Sequence, residues 1–346
     1  MGRRVLITGL ASFWGGRVAQ ALEQSDEVDV IVGLDTREPT IEFDRTEYVR
    51  SDENYSILSR IVTAAKIDTI LHTFLVIDST SSAARRMHET NVIGTMNLFA
   101  AASAPGSTVR TVVVKSSTYV YGSSAEDPTW FDEASSRSRP ARTRVERSLE
   151  QVENYVRDFA TDNPHVLVSL LRFSNVLGPD IQTPISRALE LPLVPKLAGF
   201  DPRFQFVHED DVVRAILFVL DRELPGIYNV AGEGLLPWSE VAALCGKRTV
   251  PITPVMTGLA TGPLRRLGAP LPPELLALLR YGRGVDNRRL VREGFGYEFS
   301  SAGAVTAFVE ARRLRNTVGD HRPTYEYQRD VENFFRHSPA VVSNEE

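Results

Sequence analysis

The stretch Val5-Leu6-Ile7-Thr8-Gly9-Leu10-Ala11-Ser12-Phe13-Trp14-Gly15-Gly16 decides how this chain is read. A short β-branched run ends at a glycine, and a helical pattern follows over residues 15–24. The pattern is T-G-x-x-S-x-x-G. Gly9 makes a tight turn, and Gly15 permits close packing of helix on strand. Ser12 occupies the position at which the backbone approaches a pyrophosphate. The helix beginning near Phe13 and Trp14 offers phosphate its free N–H groups and positive dipole end. A second strand, 28–34, ends at Asp35, 20 residues after Gly15. An acid there bonds a ribose 2′-hydroxyl and repels a 2′-phosphate, which favours NAD over NADP. Arg37 works against that preference.

Outward from this motif, strands and helices alternate. Residues 55–65, 85–102 and 143–160 read as helices, and 69–74, 109–115 and 166–171 as strands. Such alternation implies a Rossmann-type α/β fold, a doubly wound parallel sheet with right-handed crossovers. Regularity fails after Gly178-Pro179. Residues 179–203 and 234–297 are rich in glycine and proline, with Pro251, Pro254, Pro263, Pro270, Pro272 and Pro273 clustered among Leu259, Leu264 and the leucines of 275–279. Between these stretches, 210–220 reads as a helix and 227–230 as a strand. The expected organisation is an NAD-binding domain of residues 1–178 plus about 205–232, and a smaller, irregular substrate-binding domain of about 179–204 plus 233–320. A C-terminal tail spans 321–346.

Composition removes other classes. The chain has 346 residues, 42% hydrophobic and 24% charged, enough for a sizeable core. A net charge of −5 without a basic run argues against nucleic acid. One cysteine, Cys245, excludes an intrachain disulfide, and six scattered histidines offer no metal site. No 18-residue apolar run exists, so no membrane partner is expected and the cytoplasm is the expected location. Only Lys66, Lys115, Lys196 and Lys247 are lysines; the other basic residues are arginine.

Further motifs recur in a fixed order: Asn91-Val92-Ile93-Gly94-Thr95-Met96-Asn97-Leu98, Ser116-Ser117-Thr118-Tyr119-Val120-Tyr121-Gly122, Arg172-Phe173-Ser174-Asn175-Val176-Leu177-Gly178-Pro179, Phe206-Val207-His208-Glu209-Asp210-Asp211-Val212 and Tyr228-Asn229-Val230-Ala231-Gly232. With the glycine motif and a late Asp286-Asn287-Arg288-Arg289-Leu290, they cover about residues 3 to 310. In this the chain resembles the extended short-chain dehydrogenase/reductases, the NAD-dependent epimerase/dehydratase group typified by UDP-glucose 4-epimerases. The resemblance implies NAD as cofactor, bound by Gly9, Ser12, Phe13, Trp14, Gly15, Asp35, Thr36, Arg37, Asp52 (near the adenine), His72, Thr73, Asn91, Ser116, Phe173 and Asn175. Ser117 matches the family's catalytic serine. Ser117, Tyr119, Asn175, Arg203 and Arg280 would meet a small-molecule substrate. His208 reads as a structural residue at a helix start. The resemblance also implies a homodimer paired through the helices at 85–102 and 143–160, with Leu149 and Val152 as apolar residues beyond one narrow stripe.

One feature of the family is missing. Its chemistry uses a Tyr-x-x-x-Lys pair, and no such spacing occurs in this chain. Aligning the family's downstream glutamate with Glu153 puts Val145 and Leu149 in the two slots. Aligning it with Glu150 puts Arg142 and Glu146 there, and the first register is preferred. Ordinary dehydrogenase chemistry through Ser117 is then expected to be very slow or absent, unless Tyr119, Tyr121, Arg142, Arg144 or Arg147 moves the proton. Three functions follow: hydride transfer on a sugar nucleotide or other hydroxylated compound with a degenerate acid–base site; a catalytically inactive NAD-binding sensor or scaffold; or a hydroxysteroid-dehydrogenase-like oxidoreductase, suggested by the leucines of 275–279.

Overall fold

A computed structural model describes residues 2–253, 266 and 271–318, with side chains to 315. Pro254, Leu259, Pro263, Leu264, Pro270 and the tail at 321–346 lie outside the described residues. The main sheet contains β1 (Arg3–Thr8), β2 (Val28–Asp35), β3 (Thr46–Arg50), β4 (Thr69–His72), β5 (Thr111–Ser117), β6 (Leu167–Phe173) and β7 (Gly226–Val230). They lie in the order β7-β6-β5-β4-β1-β2-β3, and every neighbouring pair is parallel. The chain order reverses between β4 and β1, and ligands of such sheets sit beyond the strand ends at that point.

Helices cover both faces. They are α1 (Phe13–Glu23), α2 (Tyr55–Ala64), α3 (Gly94–Ala102), α4 (Arg144–Asp162), α5 (Pro184–Glu190), α6 (Glu209–Asp221), α7 (Trp238–Leu244), α8 (Pro273–Tyr281) and α9 (Ser301–Val318). Successive strand residues point to opposite faces. Val5, Ile7, Val113 and Leu171 therefore share a core with α1 and α6, while Leu6, Ile70, Val112 and Val114 share one with α2, α3 and α4. A third core, with Phe204, Phe206, Trp238, Leu275, Leu278 and Leu279, fills the region built mainly from the irregular segments. The leucines of α8 thus mostly serve packing.

Leu149 and Val152, expected to extend the apolar surface of α4, are both fully buried against the sheet. Among the described residues, the large exposed apolar side chains of the helix pair are Ile93, Met96 and Tyr155. The helix before α3 also widens at Glu89–Ile93 into a π-helical turn.

A buried polar network binds these layers. Arg172 of β6 donates from Nε to Glu153 Oε1 at 3.0 Å and from Nη2 to Oε2 at 2.6 Å. Ser116 of β5 donates to the same carboxylate at 2.8 Å. Arg172 Nη1 reaches Tyr121 Oη at 2.7 Å, and Tyr121 donates to Asn229 Oδ1 of β7 at 2.8 Å. A second chain runs under β1 and β4. Thr95 Oγ1 donates to the Asn91 carbonyl at 2.5 Å, so it accepts from His72 Nε2 at 2.9 Å. His72 Nδ1 then accepts from Thr8 Oγ1 at 2.6 Å. Burial, with the Lys115 charge adding, holds His72 neutral and lowers its pKa to about 3. Beside it Glu53 is almost fully buried, and burial, with the Asp35 charge adding, lifts its carboxyl to about 8.

Two predictions follow from these groups. Glu153→Ala leaves the Arg172 charge buried without its carboxylate and should lower unfolding free energy by about 3–5 kcal/mol. Glu150→Ala, on the exposed side of the same helix, should stay within about 0.5 kcal/mol. Urea denaturation of both variants checks this, and similar losses would contradict the network's role. Glu53 gives a pH dependence. The unfolded chain releases this proton near the ordinary value of 4.5 and the folded chain keeps it to about 8. Stability from this group is therefore full below the unfolded value and falls as pH rises toward 8, by at most about 1.4 kcal/mol per pH unit. Glu53→Gln removes the titration, so its melting temperature relative to the parent should climb between pH 5 and 8. Parallel curves would refute it.

Candidate cofactor and active site

The turn after β1 is sterically determined. Gly9 has φ +78° and donates to the Leu34 carbonyl at 2.8 Å. A Cβ on Gly15 would lie 2.1 Å from the Gly9 carbonyl oxygen, so only glycine lets α1 approach the turn this closely. Ser12 caps α1, its Oγ accepting from Gly15 N at 3.1 Å. Asp35 is fully buried, and its two oxygens accept from Ala11 N and Arg37 N, each at 3.0 Å. The acid at the end of β2 thereby pins the turn, and Thr36 follows it, half-buried.

Beyond the carboxyl ends of β4, β5 and β6 lies a cavity of ≈330 Å³. Ser12, Phe13, Trp14, Arg37 and Thr73 line it on the side of the glycine turn. Ser116, Ser117, Tyr119, Phe173 and Asn175 line it from β5, β6 and the loops after them. Ser117 Oγ accepts from Tyr119 N at 3.3 Å and so caps the helical turn Thr118–Tyr121. Asn175 donates to the Gln205 carbonyl at 2.9 Å.

Other candidates lie elsewhere. His72 is enclosed in its threonine network, and Asp52 is exposed. Asn91 bonds both backbone groups of Val76 at 2.8 Å and reaches Ser148 of α4 at 3.0 Å. It therefore clamps the segment after β4 to α4. Val145 and Leu149 are fully buried in the core, and neither lines the cavity. Arg203 is exposed, pairing through Arg203–Phe204 with Leu236–Pro237. Arg280 lines a second cavity of ≈350 Å³ together with Arg137, Arg139 and Arg142. His208 caps α6, accepting from Asp210 N at 3.2 Å, and stacks on Phe299.

Of the proton-transfer candidates, Tyr119 lines the cavity, but burial raises its phenol further above neutrality. Tyr121 is committed to Arg172 and Asn229, while Arg142, Arg144 and Arg147 are exposed. Several lining groups were not singled out from sequence. Asp78 pairs with Arg187 at 2.7 Å, and Glu274 accepts from Ser79 N at 3.0 Å. Burial raises the Glu274 carboxyl above its ordinary range. Lys115 of β5 also lines the cavity while only 4% exposed, and burial lowers its amine to about 8. A charged residue directly after the three valines of a buried strand was the available signal.

Comparison with known proteins agrees with this architecture. The family model described as "NAD dependent epimerase/dehydratase family" matches residues 5–231. An uncharacterised protein of Mycobacterium tuberculosis is 32% identical over 326 residues, covering 92% of this chain and 86% of the relative. A UDP-glucose 4-epimerase of Oryza sativa subsp. japonica is 26% identical over 193 residues, 51% of this chain and 50% of its own. Among solved structures, MoeE5 in complex with UDP-glucose and NAD superimposes with TM-score 0.69 at 22% identity, covering 91% of this chain and 100% of that one. A UDP-glucose 4-epimerase of Thermotoga maritima with UDP-glucose gives TM-score 0.69 at 18% identity, over 91% and 100%. The extent of the family match, over residues 5–231, makes this chain a member of the NAD-dependent epimerase/dehydratase family.

Proposed function

We propose that this protein binds NAD and transfers hydride to or from a hydroxylated small molecule, a sugar nucleotide or a compound of similar polarity, in the cavity beside Ser117. The observation that carries this reading is the convergence of Ser12, Trp14, Ser117, Phe173 and Asn175 on one cavity at the end of the sheet. The residues fit a dinucleotide. The glycine turn admits no Cβ at Gly15, α1 begins at the cavity wall, and the Asp35 charge stands at the end of β2. NAD supplies the hydride acceptor when bound. Ser117 offers a hydroxyl to orient the substrate oxygen, and Trp14 and Phe173 supply aromatic walls.

A second reading, an NAD-binding sensor or scaffold without turnover, is favoured by one feature. The two α4 positions assigned to the missing pair, Val145 and Leu149, are buried hydrocarbon. Incubation with NAD and a panel of UDP-glucose, UDP-glucuronic acid and a hydroxysteroid separates the readings. A nicotinamide absorbance change or an altered sugar supports hydride transfer. NAD binding with no turnover across the panel supports the sensor.

We also propose a homodimer through α3 and α4. Met96 and Tyr155, exposed on the two helices, flank a groove floored by Phe99 and Phe159. Met96→Glu with Tyr155→Arg should convert a dimer to a monomer in light scattering at micromolar concentration; an unaltered protein that is already monomeric refutes it. For the cofactor, calorimetric titration should show NAD bound more tightly than NADP. Asp35→Asn, which removes the charge, should narrow the gap severalfold, and tighter NADP binding to the unaltered chain would defeat the assignment.

A further inference from the structure

Resting on this reading of hydride chemistry in the cavity, we propose that Lys115 is the proton-transfer group of the site, doing from a strand what the family does from α4. The placement follows from β5. Residues two apart on a strand share a face at about 6.6 Å spacing. Lys115 and Ser117 therefore share one face of β5, and both line the cavity, whose edge Ser116 also reaches. Ser116 between them sends its hydroxyl to Glu153 behind the sheet. A lysine stem spans roughly the same distance, so a substrate hydroxyl held by Ser117 lies within the amine's reach. The Lys115 Nζ stands 5.8 Å from the centre of the Trp14 ring of α1, and both residues are buried.

The charged groups around Lys115 leave it without a fixed partner. Asp78 from the segment after β4 is taken by Arg187 of α5, and Glu274 of α8 is held by the Ser79 backbone and hydroxyl. Arg37 and Tyr119 complete the titratable lining, and neutral His72 lies behind the amine. Among the described residues, no carboxylate forms an ion pair with Lys115. An amine drawn down to about 8 by burial both accepts and returns a proton near neutral pH.

The step balances. In the oxidative direction the substrate C–H bond breaks and its hydride, with both electrons, goes to the bound nicotinamide. The O–H proton passes to the neutral Lys115 amine, which becomes ammonium, and the C=O bond forms. The reductive direction returns the proton from the ammonium.

Four lysines make a direct test feasible. The full chain, labelled with ¹³C,¹⁵N-lysine, is titrated by NMR, with Lys115 assigned from the Lys115→Arg spectrum. The free protein should show a Lys115 midpoint about two units below an ordinary lysine. The midpoint should be lower with NAD than with NADH, because the two share a pyrophosphate and differ in nicotinamide charge. Equal midpoints in the two complexes would put the amine at the phosphates and overturn the proposal, as would an ordinary lysine midpoint in all states. In kinetics with UDP-glucose, or whichever panel compound the parent turns over, Lys115→Met and Lys115→Arg should both lower kcat by about 10²-fold or more. NAD affinity should stay within severalfold. Arginine keeps the charge and cannot release the proton, so retained turnover in Lys115→Arg defeats the proposal alone. A parent chain that binds NAD and turns over nothing defeats the functional reading instead.

Discussion

The bidentate pair between Arg172 and Glu153 is the constraint around which the site is arranged. The Glu153 carboxylate is fully buried, and it ties α4 to β6 directly and to β5 through Ser116. Two charges taken out of water hold together only if their remaining hydrogen-bonding capacity is met. Here it is met by Ser116, by Tyr121, and through Tyr121 by Asn229 of β7. The ends of β5 and β6 are thereby held in register where they form the cavity wall. Ser116, expected to contact cofactor, uses its hydroxyl for this network. Ser117, one residue on, is turned to the other side of the sheet.

The cavity differs from this network in how its charge is compensated. Inside the network each charged group has a partner. In the cavity the acids Asp78 and Glu274 are already bonded to Arg187 and to Ser79, and among the described residues the buried Lys115 ammonium is left to the Trp14 ring. An amine so placed loses hydration without gaining a carboxylate, and its charged form is disfavoured. The same burial acts in opposite senses on His72, kept neutral, and Glu53, kept protonated. Polar groups packed against α3 below the strand ends are therefore largely uncharged, while the cavity above carries the titrating group.

What was legible in the sequence was local or periodic. The glycine turn could be read because Gly9 and Gly15 answer to contacts within a few residues, and the buried strands because both their faces are covered. β3 was hard to see from its own residues: Thr46–Arg50 is an edge strand, half-exposed and polar, without an apolar run. The outward placement of Leu149 and Val152 failed because helical spacing does not reveal how wide a stripe the sheet covers. The leucines of α8 suggested a lipophilic substrate, yet Leu275, Leu278 and Leu279 fill the third core. Lys115 was passed over because its significance depends on strand parity and on Trp14, 101 residues earlier in the chain.

The missing tyrosine and lysine are better understood from packing than from sequence loss alone. Val145 and Leu149 belong to the core beneath α4, and Leu75, Val76 and Ile77 pack against the same core from the segment after β4. Asn91, presented by the π-helical turn, fastens that segment by both backbone groups of Val76 and reaches Ser148 as well. In the register that matches Glu153 to the family's glutamate, the face of α4 that would carry a phenol and an amine is thus covered by protein. Putting a tyrosine and a lysine back at those two positions would overfill a packed core and bury an ammonium without a counter-charge, each costing on the order of 1–3 kcal/mol or more. Any group that moved a proton in this cavity would have to come from a surface that still faces it, and the end of β5, where Lys115, Ser116 and Ser117 line the cavity, is such a surface.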